Sequence, residues 1–104
     1  MMNWEEHVYP DGICPINYEM YFSEDKKSHH LSIGPSKYTD NLWYIWYYQG
    51  GYICIKETFE AKDLSAAKDW AINRIRGSIQ RTLGYYQRLL NEIDKKAVAT
   101  NENM

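Results

Sequence analysis

Leu42-Trp43-Tyr44-Ile45-Trp46-Tyr47-Tyr48-Gln49-Gly50-Gly51-Tyr52-Ile53-Cys54-Ile55-Lys56-Glu57-Thr58-Phe59 is the stretch that decides the fold. Aromatic and β-branched residues fill both arms, and two glycines stand between them where a tight hairpin demands positive φ. Two antiparallel strands are therefore predicted. In the second arm the alternation sends Ile53, Ile55 and Phe59 to one face and Tyr52, Cys54, Lys56 and Thr58 to the other. The first arm, Leu42 to Tyr48, is apolar or aromatic at every position and lacks a polar face. Such a run calls for cover on both sides, or for an aromatic surface that meets a ligand or a partner. Packing Trp43, Ile45 and Tyr47 into the core leaves the other face as a contact surface, since Tyr and Trp are residues that anchor protein interfaces.

Upstream, Ile16, Tyr18, Met20 and Phe22 alternate with Asn17, Glu19, Tyr21 and Ser23, the pattern of a half-buried strand. The charged cluster Ser23 to Ser28 reads as a hairpin loop. A short strand from His29 to Ile33 follows, with Leu31 and Ile33 inward and Gly34-Pro35-Ser36 as its breaker. Residues 1–15 carry Pro10, Asp11, Gly12 and Pro15 and read as an irregular lead. The expectation is a four-stranded antiparallel sheet over residues 16–59.

Downstream, Asp63 stands as an N-cap before Leu64, Ala67, Ala71, Ile75, Ile79, Leu83, Tyr86, Leu90, Ile93 and Ala97, which recur at threes and fours. This predicts one long amphipathic helix over 63–97, with a frayed tail at 98–104. The whole is an α+β domain of 104 residues. A helix from Leu64 to Ala97 is about 50 Å long, whereas a seven-residue strand spans about 23 Å, so part of the stripe overhangs the sheet. A bend at Gly77 or Gly84 would fold the overhang back. Helical glycine costs only about 1 kcal/mol relative to alanine, so we expect a continuous or gently bent helix whose overhang meets a second copy, as a homodimer, or another protein.

Hydrophobic residues make up 44% and charged residues 25%, the balance of a globular chain rather than a disordered one. The net charge of -2 hides a division: residues 1–63 carry ten Asp/Glu against five Lys/Arg, and residues 64–104 carry four against seven. No apolar run is long enough to span a bilayer, and Met1-Met2-Asn3-Trp4-Glu5-Glu6 is acidic where a signal peptide is basic, so a cytoplasmic location is expected. There Cys14 and Cys54 should be buried or half-buried thiols rather than a disulfide.

Nothing in the spacing assembles a catalytic or metal centre. His29 and His30 are strand neighbours and point to opposite faces, and Cys14 and Cys54 have neither a Cys-x-x-Cys partner nor an adjacent histidine. No cofactor or metal is expected, and the chain reads as a binder rather than an enzyme. One regular pattern is Arg74, Arg81, Arg88 and Lys95, spaced by sevens and so on nearly one line of the helix. It is a solvated outer face or a ribbon for phosphates or acidic protein surface.

The passage Ile53-Cys54-Ile55-Lys56-Glu57-Thr58-Phe59 followed by Asp63-Leu64-Ser65-Ala66-Ala67-Lys68-Asp69-Trp70-Ala71 resembles small phage and plasmid accessory proteins, in which an antiparallel sheet runs into a capped helix. Anti-CRISPR and other anti-defence inhibitors are found among proteins of this kind. The resemblance covers residues 42–75 and implies an inhibitor that occludes a nucleic-acid-binding surface of a host nucleoprotein defence complex. The partner-binding candidates on that reading are the acidic and aromatic residues Glu19, Glu24, Asp25, Asp40, Tyr44, Trp46, Tyr48, Glu57 and Glu60, the carboxylates imitating phosphates. The alternative is a nucleic-acid-binding accessory that uses the basic ribbon, and a third reading is a ligand pocket between sheet and helix.

Overall fold

The computed structural model describes residues 4–22 and 29–102, the side chains of 99–102 excepted. Five strands and one helix follow in order: β1 (Glu5–His7), β2 (Asn17–Tyr21), β3 (His29–Pro35), β4 (Leu42–Gln49), β5 (Tyr52–Glu60) and α1 (Leu64–Glu102). The strands form one antiparallel sheet in the order β1-β2-β3-β4-β5, each bonded to its neighbour in sequence. The chain is α+β and divides into two compact units, Met1–Ile72 and Asn73–Met104.

Gly50 and Gly51, at φ 60° and 82°, close the two-residue hairpin between β4 and β5. Strand β4 alternates: Trp43, Ile45 and Tyr47 are buried, while Tyr44 is exposed and Trp46 and Tyr48 are half-buried on the other face. In register with the buried set stand Ile33, Leu31, Ile55 and Phe59, and Met20 continues it into β2. Leu31, Ile33 and Ile45 are fully buried, each contributing on the order of 1.5–3 kcal/mol by leaving water. The start of α1 completes this core with Ala67 and Ala71, and the Trp70 ring stacks on Phe59 at 4.0 Å. Lys68 Nζ sits 5.7 Å from the Trp4 ring and 5.6 Å from Tyr18, which ties the lead to the helix. Asp63 caps the helix as expected, its Oδ1 accepting from the Ala66 amide at 2.8 Å.

Five features depart from the sequence reading. The sheet has five strands, because Glu5–His7 in the lead pairs with Asn17–Glu19 on the edge of β2. Strand β3 runs through Gly34 and Pro35, which pair with Tyr44 and Trp43. The Ser36 amide bonds Leu42 on the β4 side, so the Pro35 nitrogen points to the β2 side, where β2 has already ended and no donor is needed. In β5 the register shifts: Tyr47 faces Ile55 but Tyr48 faces Ile53, which leaves Cys54 as a bulge and turns Ile53, 53% exposed, to the face away from the core. Both thiols are exposed rather than buried, Cys14 in the turn-rich lead and Cys54 at this bulge.

The fifth departure is the end of the helix. As expected it is continuous through Gly77 and Gly84, but it extends to Glu102, across much of the segment expected to fray. Its apolar stripe is buried at Ala67, Ala71 and Ile75, then exposed from Ile79 onward. The loop expected at Ser23–Ser28 lies outside the described residues. No helix among the described residues is long and apolar enough to cross a membrane.

Candidate functional site

The face of the sheet opposite the core is set by strand parity. Across it run three cross-strand rows: Tyr21, His30 and Tyr48; Glu19, Ser32 and Trp46; and, on β3 and β4, Gly34 and Tyr44. His30 lies between two tyrosine rings, stacked on Tyr48 at 4.3 Å with an 11° interplanar angle and tilted against Tyr21 at 5.5 Å. Tyr44 and Trp46 stack along β4 at 5.7 Å. A recess of about 190 Å³ opens among these rows, lined by Tyr9, Asn17, Glu19, His30, Ser32, Trp46 and Tyr48.

Each lining group has a structural reason for its place. Asn17 lies across Gly34: a Cβ there would fall 2.1 Å from Asn17 Oδ1, so only glycine admits this close approach. From that position Asn17 Nδ2 donates to Tyr9 Oη at 2.9 Å and fixes the lead over the edge of the sheet. Tyr9 in turn meets His7 edge to face at 4.8 Å. Ser32 is buried beneath the neighbouring side chains. His30 Nδ1 is also buried and has no hydrogen-bond partner among the described residues.

Glu19 is the carboxylate that lines the recess. Tyr21 Oη donates to Glu19 Oε2, and that bond with the nearby charge raises the Tyr21 hydroxyl to about 12. Glu5 on β1 stands directly opposite Glu19 on the same face, and its charge joins that of Glu19 in raising the Tyr21 hydroxyl. Among the described residues no lysine or arginine lines the recess. Flat aromatic faces beside carboxylates suit a cationic group, above all a planar guanidinium that can stack and donate at once.

The structure brings Glu19, Trp46 and Tyr48 into one recess, with Tyr44 beside it. Glu60 lies at the far end of β5 opposite Leu42, and Asp40 is exposed in the turn between β3 and β4. Glu57 faces Ile45 on the core side of the sheet, half-buried, so the carboxylates do not form one phosphate-like patch. Glu24 and Asp25 lie outside the described residues. On the helix Arg81 and Arg88 are exposed, Arg74 is half-buried and Lys95 Nζ lies 3.6 Å from Glu92.

The sequence reading missed Tyr9, Asn17, His30 and Ser32 as lining residues, and Tyr21 and Glu5 as their neighbours. Cross-strand register brings Asn17, His30 and Ser32 together, and Tyr9 joins them through the path of the lead after an unforeseen first strand. Of the two thiols, Cys14 donates to Asp11 Oδ2 at 3.2 Å, which holds its pKa above the ordinary thiol value and so disfavours the nucleophilic thiolate. Asp11 itself is held below the usual carboxylate range, chiefly by accepting from the Ile13 and Cys14 amides. Compared with known proteins, the chain matches no family model, no curated sequence and no solved structure.

Proposed function

We propose that the chain is a non-enzymatic binding module that covers a basic surface of a protein partner with the open face of its sheet, seating an arginine side chain in the recess. The observation that carries this reading is the convergence of Glu19 with Trp46, Tyr48 and the His30 stack in one recess, which no lysine or arginine among the described residues lines. Basic protein surfaces are commonly those that bind nucleic acid. A module that occupies one is therefore an inhibitor of nucleic-acid binding, in keeping with an anti-defence protein of a mobile element acting in the host cytoplasm. The same carboxylates would repel phosphate, which disfavours the aromatic strand as a platform for bases.

A short arginine-rich peptide, titrated against a lysine peptide of equal charge, tests it through tryptophan fluorescence and calorimetry. Saturable binding that prefers arginine is expected. Glu19→Gln and Trp46→Leu should each weaken it about tenfold, or ~1.4 kcal/mol, the range of a partly desolvated cation–π contact. Binding that is absent, or equal in both variants and the parent, would sink the proposal. A second reading rests on Arg81 and Arg88, exposed on one line of α1 with Lys95. Nucleic-acid binding that weakens steeply with salt and disappears in Arg81→Ala/Arg88→Ala would favour it.

A further inference from the structure

The compact unit Asn73–Met104 carries a second feature, independent of the sheet face. Ile79, Leu83, Tyr86, Leu90, Ile93 and Ala97 alternate steps of four and three, so that Ile79, Tyr86 and Ile93 and likewise Leu83, Leu90 and Ala97 repeat every seven residues, two seam positions per heptad. That is the period of a coiled-coil seam, which stays turned towards a partner helix instead of drifting round the axis. The large residues of this seam, with Leu89 beside it, are between 42% and 63% exposed.

We propose that the seam binds a second copy of the chain, the two α1 helices lying antiparallel about a twofold axis beside Arg88. Four observations select this occupant and this direction. In the antiparallel register every layer is apolar: Tyr86 meets Leu90 of the second copy, Leu83 meets Ile93, and Ile79 meets Ala97. The same register sets Leu89 against its own counterpart, with Gln87 against Gln87 on the other flank. A parallel pair would instead place Leu89 beside Asp94 and Tyr86 on Tyr86. The outer flanking pairs are Gln80 with Asp94 and Thr82 with Lys96, so no like charges face each other. Lastly, Arg74, Arg81, Arg88 and Lys95 occupy the outermost position of each heptad, about 140° from the Leu83 and Leu90 line, so two equally basic helices do not repel across the seam.

The area is adequate. Six large apolar residues from each copy, all more than two-fifths exposed, together with the flanking side chains offer a contact on the order of 1,000 Å², where specific interfaces begin. The helical ends also favour this direction, since antiparallel macrodipoles attract. One result would be two open sheet faces in a single assembly, which raises avidity for any partner with two basic sites.

Sedimentation equilibrium over roughly two decades of concentration should show a monomer–dimer exchange. Leu83→Asp/Leu90→Asp, at two exposed positions that leave the core intact, should raise the dissociation constant more than about a hundredfold while circular dichroism stays that of the folded parent. Direction is read with a spin label at Glu102→Cys, in a chain whose Cys14 and Cys54 are changed to serine. The antiparallel register separates the two labels by about 40 Å along the axis, at ~1.5 Å per residue, whereas a parallel pair sets them side by side. A parent that stays monomeric, a dimer that survives the double substitution, or labels found side by side would each overturn the proposal.

Discussion

Replacing Gly34 by alanine tests how Asn17 and Tyr9 are held at the recess. The new Cβ would sit 2.1 Å from Asn17 Oδ1 and 3.0 Å from Cγ, so the Asn17 side chain has to leave. With it goes the bond from Asn17 Nδ2 to Tyr9 Oη, which contributes about 1 kcal/mol. Holding Asn17 away from its preferred rotamer adds roughly 0.5–1.5 kcal/mol. Against these, alanine restricts the unfolded chain and returns about 0.4–1 kcal/mol, because Gly34 does not use positive φ. The expected net is a destabilisation of about 1 kcal/mol, or ~4–8 °C in Tm for a small domain. In an Asn17→Ala background the clashing atoms are gone, and the same substitution should be neutral or stabilising by about 0.4–1 kcal/mol. Urea midpoints at constant m-value, arranged as a double-mutant cycle, should give a coupling of about 1.5–2 kcal/mol between the two positions. An equal loss in both backgrounds would refute the account and point to the backbone of β3 instead. The alanine variant should also bind the arginine peptide more weakly, since Tyr9 loses its tether.

Asp63→Ala removes the cap of α1 and should destabilise the chain by about 1 kcal/mol, while Asp63→Asn, an equally good cap, should stay close to the parent; a loss as large for asparagine as for alanine would mean that charge, not capping, matters there. Tyr21 has its hydroxyl raised to about 12 by donation to Glu19, so its stabilising effect is fully present below the unfolded value near 10 and is lost as pH climbs through 10 to about 12. The stability advantage of the parent over Tyr21→Phe should therefore shrink over that window in thermal melts, and a gap that stays constant or widens would remove the Glu19 bond as its cause.

Much of the sheet was legible because its signals are local. Aromatic and β-branched residues fill Trp43–Tyr48, and Gly50-Gly51 demands a hairpin, so β4 and β5 followed from propensity and turn chemistry. Asp63 marked the start of α1 for a similar reason, with an acceptor placed three residues before an amide that needs one. The misses were of another kind. Glu5-Glu6-His7 has no apolar alternation and is a strand only because β2 offers it an edge. Pro35 looks like a breaker until the register shows that its missing donor faces no strand. The bulge at Cys54 shifts Ile53 across the sheet without any change in composition to announce it. The recess suffered most, because Tyr9, Asn17, Glu19, His30, Ser32 and Trp46 come from the lead and three strands, and no single stretch of sequence contains the pattern. On the helix, the basic line of sevens and the apolar stripe were both visible, whereas the position at which burial ends, between Ile75 and Ile79, required the structure.

The order β1-β2-β3-β4-β5 also governs how the chain acquires its structure during synthesis. Every pairing joins neighbours, so contact order is low and each hairpin closes once its second strand has left the ribosome, without waiting for a distant segment. The core face is the exception: Leu31, Ile33 and Ile45 stay in contact with water until Ala67, Trp70 and Ala71 have been made. At about 5–20 residues per second, the interval between Phe59 and Ala71 lasts on the order of a second. For that second the nascent chain exposes a finished sheet with an uncovered apolar side, and a pause in translation just after β5 lengthens the exposure and invites aggregation.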